Sequence, residues 1–202
     1  MIVSDQLLAH RSQFLELERA AAAAYSHFVY HDEQEANTIR ERLFDEGVCE
    51  FAAPFSRILL SGNRAAGMVS CLSATQLARC RMRSAFFLAR SGLLQDRPAT
   101  RARMEMAGRT LMRLEPSDFY LSRIAVSAGE AGSGAADQLM RYCEECARAA
   151  GSTRIALEVE SGNDRALAFY RKKGFSKIDQ RATRDPQSGR TLEYLHLAKS
   201  LG

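Results

Sequence analysis

The chain has 202 residues, of which 46% are hydrophobic and 26% charged, with a formal net charge of +4. That is enough apolar content for one domain with a sizeable core, and it excludes wholesale disorder. No apolar run approaches the roughly 18–20 residues needed to span a bilayer, and Asp5, Glu16 and Glu18 interrupt any signal-like N-terminus, so a soluble, cytoplasmic protein without a membrane partner is expected. Five cysteines are an odd number for a disulfide framework. The C-x-x-C of Cys143 and Cys146 falls inside a helical stretch rather than at a strand-to-helix turn, which favours packing over redox or zinc chemistry.

Along the chain, Gln6 to Tyr30 reads as one helix, with Leu7, Leu8, Phe14, Leu15 and Leu17 as its apolar positions and an alanine run of high helix propensity. A second helix covers Gln34 to Phe44, with Gly47 just beyond. Phe55–Leu60 and Ala65–Leu72 form a hairpin across Gly62-Asn63, and Met1–Val3 offers only a strand stub. Two basic helices are expected at Gln76–Leu94 and Thr100–Leu114, separated by Gln95-Asp96-Arg97-Pro98. In the second, Met104, Ala107, Leu111 and Leu114 fall at helical spacing. Between Thr75 and Glu115 nine arginines face three acids, so the positive charge belongs to this segment and not to the chain as a whole.

Phe119–Val126 is a strand that runs into a loop of glycines, alanines and serines, and the loop opens a helix from Gly134 to Ala150 stopped by Gly151. Arg154–Glu160 is a strand, followed by an Asn-capped helix from Asn163 to Lys173 ended by Gly174. Phe175–Arg181 and Thr191–Leu197 close the chain as strands around a turn at Asp185–Gly189. The low bulk of Ser127–Ala136 lets a ligand approach the backbone, and the helix that follows offers unpaired N–H groups to a phosphate. The glycine spacing is neither a dinucleotide fingerprint nor a nucleotide phosphate loop.

The pattern I-A-V-x7-G-x-A from Ile124 to Ala136, followed by E-V-x3-N-x2-A-x3-Y-x3-G-F from Glu158 to Phe175, resembles the GNAT superfamily of acyl-CoA-dependent N-acetyltransferases, ribosomal-protein-alanine acetyltransferases included. The resemblance implies an α/β (α+β) fold, with a mixed, mostly antiparallel central sheet flanked by helices. It implies a single domain over 1–202 with a basic helical insertion at 75–115. It implies acetyl-CoA as co-substrate, with coenzyme A as product. The strand backbone at Ile124, Ala125 and Val126 would pair with the pantetheine arm. The stretch Ala131, Gly132, Ser133, Gly134, Ala135, Ala136 and Asp137 would wrap the diphosphate, and Asn163 would contact the cofactor. Tyr170 would protonate the departing thiolate and Glu158 would serve as base. Strand alternation agrees that Glu158 and Glu160 lie opposite Ile155, Leu157 and Val159, and the spacing of Asn163 and Tyr170 puts both on one helix face.

The family usually carries Arg or Gln where this chain has Ala131, and here Glu130 and Asp137 flank the loop, with Arg171, Lys172 and Lys173 as cations that would offset them. The expected reaction is acetyl transfer to a primary amine, and a small molecule and a peptide or protein amine both stay open as acceptors. Two other readings stand beside it: a non-catalytic acyl-CoA-binding protein, and a nucleic-acid binder using the arginine segment. That segment lacks interleaved aromatics apart from Phe86-Phe87, so nucleic acid is not the expected partner. No metal is expected, and a homodimer is admitted as an assembly.

Overall fold

The computed structural model describes residues 1–94 and 97–202. Strand β1 (Ile2–Ser4) and a 3-10 turn (Leu8–His10) precede helices α1 (Arg11–Ala21), α2 (Ala23–Val29) and α3 (Glu33–Asp45). The hairpin of β2 (Ser56–Ser61) and β3 (Arg64–Ser73) leads into α4 (Ala74–Arg90) and α5 (Pro98–Gly108). Then come β4 (Asp118–Val126), α6 (Ala135–Ala149), β5 (Arg154–Glu160) and α7 (Asp164–Lys172). A second hairpin, β6 (Ser176–Arg184) and β7 (Thr191–Ser200), ends the chain. Among the described residues no helix is long and apolar enough to cross a membrane.

The seven strands form one open sheet in the order β1-β2-β3-β4-β5-β7-β6. Every neighbouring pair is antiparallel except β4 and β5. This is the mixed, mostly antiparallel sheet expected from the sequence. One face is covered by α6 and α7, where Leu139, Met140, Cys143 and Tyr170 pack on Val69, Leu121, Ile155 and Leu157. The other face carries the helices of the first half, with Phe14, Phe28, Ile39 and Phe44 around Ile58 and Met68. Strand periodicity sorts the two sets, since successive side chains point to opposite faces.

Three expected elements differ. The helix expected from Gln6 to Tyr30 is broken at Ala22, where the backbone leaves helical values (φ −102°, ψ 16°). The break lets Phe14, Leu15 and Leu17 of α1 and Phe28 and Val29 of α2 all bury, and that burial overrides the propensity of the alanine run. Helix α4 starts earlier than expected, at a Ser73–Gln76 capping box, and stops at Arg90 before Gly92 (φ 73°). Helix α5 ends at Gly108, so Leu111 and Leu114 are not helical. The chain beyond Gly108 instead crosses the sheet as an irregular segment. Of the residues expected to separate α4 from α5, Gln95 and Asp96 lie outside the described residues.

Strands β4 and β5 pair only at Asp118↔Arg154, Phe119↔Ile155 and Tyr120↔Ala156. Beyond that point they part. Strand β4 continues against β3 as far as Val126↔Gly67, and β5 continues against β7 as far as Glu160↔Tyr194. The closed end is held by Arg154, whose Nε and Nη2 donate to the two oxygens of solvent-excluded Asp118, each at 2.7 Å. At the open end Gly67 lets β3, β4 and α6 approach closely. A Cβ there would sit 2.7 Å from the Ala125 carbonyl oxygen and 2.9 Å from Leu139 Cδ1.

Candidate active site

The gap between β4 and β5 leaves two strand edges without a strand partner, one from Leu121 to Val126 and one from Leu157 to Glu160. Unpaired strand edges bind extended ligands by adding a strand. Ile124, Ala125 and Val126 all lie on the first edge and are half-buried. At its mouth the chain makes a 3-10 turn at Ala128–Glu130, then passes Gly132 (φ 82°) and Gly134 (φ 84°) into α6. Those left-handed glycines turn the loop so that amides accumulate at the helix start. Ser133 folds over it, its hydroxyl donating to the Glu130 carbonyl and accepting from the Ala135 amide. Among the described residues, the amides of Gly132, Gly134, Ala136 and Asp137 have no intrachain acceptor. Ala131, in extended conformation, brings only a methyl group to this loop.

The acids of the loop are unequal. Asp137 is bridged by Lys173 Nζ at 2.5 Å, and the same ammonium lies over the Phe169 ring at 5.8 Å. Glu130 makes no ion pair among the described residues. Asn163 caps α7, its Oδ1 accepting from the Ala166 amide at 3.0 Å. That leaves its side-chain NH2 as a donor beside the gap.

Tyr170 is buried in the layer under α6 and α7, edge-on to Phe169 and Phe175. Burial, with a smaller contribution from Cys143, raises its hydroxyl above the ordinary tyrosine value, so it stays protonated through the neutral range. Its hydroxyl has no hydrogen-bond partner among the described residues. Glu158 is half-buried on the opposite sheet face, two residues past the last β4–β5 pair. It is not an ordinary solvent-facing acid. Its Oε1 accepts from the Met112 amide at 2.6 Å and its Oε2 from the hydroxyl of Tyr120.

Tyr120 and the segment around Met112 are the parts of this site that the sequence did not point to. Tyr120 is buried, and burial followed by the charge of Glu158 raises its hydroxyl well above its usual value. Arg81 of α4 lies over its ring at 5.8 Å. Strand parity puts Tyr120 opposite Phe119 and Leu121, but only the β4–β5 register shows that it shares a face with Glu158. The Met112 contact could not be read at all from a helix continued to Leu114.

The arginine segment is partly consumed inside the molecule. Arg103 is buried and donates to the Val29 carbonyl at 2.7 Å, and Arg97 pairs with buried Glu35 at 3.0 Å. Cys143 and Cys146 pack on Cys71 of β3. Hydrogen bonding among these thiols, together with burial, pushes Cys71 and Cys146 up and leaves them poor nucleophiles. All five cysteines are free, and no group of His, Cys, Asp or Glu among the described residues has the arrangement of a metal site.

The sheet is open and parted between its two parallel strands, and a loop with free amides leads into a helix at the mouth of the gap. The sequence profile of the acetyltransferase (GNAT) family matches residues 14–175, and the chain belongs to that family. Its class is therefore that of an acetyltransferase. Similar solved structures include one described only as an acetyltransferase, with a TM-score of 0.64 at 16% identity over 99% of this chain and 97% of the other. An N-acetyltransferase from Staphylococcus aureus Mu50 gives 0.59 at 15% identity over 94% and 96%. A ribosomal-protein-alanine N-acetyltransferase from Brucella melitensis gives 0.54 at 15% identity over 100% of both chains. At such identities the likeness is one of fold. No curated protein matches the sequence as a relative.

Proposed function

We propose that this protein transfers an acetyl group from acetyl-CoA to a primary amine by direct attack, with Glu158 as base and Tyr170 as acid. The observation that carries the reading is the parting of β4 and β5 with four acceptor-less amides at its mouth. The edge at Ile124–Val126 would hold the pantetheine arm, and the amides of Gly132, Gly134, Ala136 and Asp137 would hold the diphosphate. Asn163 would add a side-chain donor. Acetyl-CoA supplies the thioester on which the amine acts.

The residues divide the proton work between the two sheet faces. An amine acceptor is cationic near neutral pH and must lose a proton before its nitrogen can attack. Glu158 takes that proton from the face bearing α1–α5. As the C–N bond forms and the C–S bond breaks, Tyr170 gives its proton to the sulfur from the face bearing α6 and α7. The parted strands would let the two side chains reach one ligand from opposite faces of the sheet. A backbone N–H on the β4 edge polarises the carbonyl.

Steady-state kinetics over a panel of small amines and peptide N-termini test the assignment. Glu158→Gln and Tyr170→Phe are each expected to lower kcat/KM at least tenfold. Values within about twofold of wild type would remove both roles. Acetyl-CoA binding without turnover of any amine would point to a non-catalytic binder.

A further inference from the structure

We propose that Tyr120 is a positioning residue that, together with the Thr110–Met112 segment, holds the Glu158 carboxylate in one arrangement. The proposal rests on the reading of Glu158 as base and adds what keeps that base in place. A glutamate side chain has three rotatable bonds, and fixing it needs contacts from outside its own strand. Here each oxygen has its own donor, from an independent element. Tyr120 comes from β4, and the Met112 amide comes from the crossing segment after α5.

That crossing segment is itself clamped residue by residue. The Thr110 carbonyl accepts from His196 Nε2 of β7 at 2.7 Å. The Leu111 carbonyl accepts from Arg181 Nη1 of β6 at 3.2 Å, and the Met112 amide reaches Glu158 of β5. Three consecutive residues are thus tied to three adjacent strands, so the position of the Met112 amide is dictated by the sheet. Since a carbonyl only accepts, His196 must carry its proton on Nε2. The arginine-rich region contributes at the same place through Arg81, stacked on the Tyr120 ring.

The chemical consequence follows from the two donors. With a donor on each oxygen the carboxylate keeps one rotamer, so the face it offers to an incoming amine is fixed. Tyr120 remains a donor across the working range, because losing its own proton beside Glu158 in a buried site is unfavourable. Removing its hydroxyl leaves one carboxylate oxygen desolvated and unpaired.

The test is a double-mutant cycle in steady-state kinetics, with kcat and the KM for acetyl-CoA read separately. Tyr120→Phe is expected to lower kcat about 10- to 100-fold, the scale of a lost hydrogen bond to a charged group. It should leave the KM for acetyl-CoA unchanged. In a Glu158→Gln background the same substitution should change kcat less than twofold. Arg181→Gln carries the test from the other side, through the Leu111 carbonyl, should Tyr120→Phe fail to fold. It is expected to speed tryptic cleavage after Arg113 and to lower kcat, again with the KM for acetyl-CoA unchanged. An unchanged kcat in both variants, or an equal loss from Tyr120→Phe with and without Glu158, would overturn the positioning role while leaving the base in place. Glu158→Gln with wild-type activity would overturn both.

Discussion

Gly67 is the position where one added methyl group should disturb both the scaffold and the donor site. An alanine Cβ would meet the Ala125 carbonyl oxygen at 2.7 Å and Leu139 Cδ1 at 2.9 Å. Both are shorter than any relaxed contact. The carbonyl belongs to a strand paired along β3 and cannot yield without moving β4, and fully buried Leu139 must repack in a crowded core. Overpacking of this kind costs about 1–3 kcal/mol. For a chain of this size each kcal/mol lowers Tm by roughly 2–4 °C. Gly67→Ala should therefore melt several degrees below wild type. Because the displaced backbone is the edge assigned to the pantetheine arm, its KM for acetyl-CoA should also rise. Gly129→Ala is the control: nothing lies within 4 Å of its Cβ position, so its stability should stay within about 0.5 kcal/mol. Denaturant melts of the three proteins decide the matter. If Gly67→Ala and Gly129→Ala unfold alike, the close approach of β3, β4 and α6 is not a constraint and the reasoning fails.

Two further outcomes concern charges buried around the sheet. Asp118→Asn weakens the two charge-assisted bonds from Arg154 at the closed end of the β4–β5 gap, and urea unfolding should show a loss of about 1–3 kcal/mol; no loss would mean that this pair does not hold the strands together. Burial alone would raise the carboxyl of Glu35, but the His31 amide, the Thr100 hydroxyl and Arg97 bring it below its usual value. A carboxyl lowered on folding contributes fully above its unfolded value of ~4.3, and the contribution fades as pH falls through the lower folded value. Wild-type stability should thus drop more steeply than that of Glu35→Gln as pH is taken from about 5 to about 3, and parallel curves would refute the assignment.

The parts of the fold legible in the sequence are those where local pattern and burial agree. Strand β5 shows this: Ile155, Leu157 and Val159 alternate with Glu158 and Glu160, and the structure buries the first set. Helix α7 announces itself through Asn163 and Gly174. Failures came where a tertiary demand overrode a local one. The alanine run after Glu18 favours one long helix, yet two apolar sets, Phe14 to Leu17 and Phe28-Val29, must reach the same core, and the chain breaks at Ala22 to allow it. Leu111 and Leu114 continue the apolar stripe of α5 by spacing alone. In the folded chain Thr110 and Leu111 give their carbonyls to β7 and β6 instead, a demand set by residues seventy or more positions away. No periodicity encodes that, so the surroundings of Glu158 were hidden even though Glu158 itself was visible.

The loop before α6 shows the same division in its electrostatics. Read as side chains, Glu130, Ala131 and Asp137 look wrong for an anionic ligand, since they place two acids where cations are expected. The folded loop alters that in two ways. Lys173, on the turn that ends α7, reaches Asp137 and neutralises it, a pairing between positions thirty-six residues apart. Among the described residues, the amides of Gly132 and Gly134 in the turn and of Ala136 and Asp137 in the first turn of α6 have no acceptor, and the helix dipole adds to them. What the loop offers an anion is thus backbone amides rather than side-chain cations, and a backbone source is invisible to any count of arginines. It also limits what side-chain substitution can do. Adding charge at Ala131 acts on an exposed position screened by solvent, whereas changing either left-handed glycine alters the direction of the amides themselves.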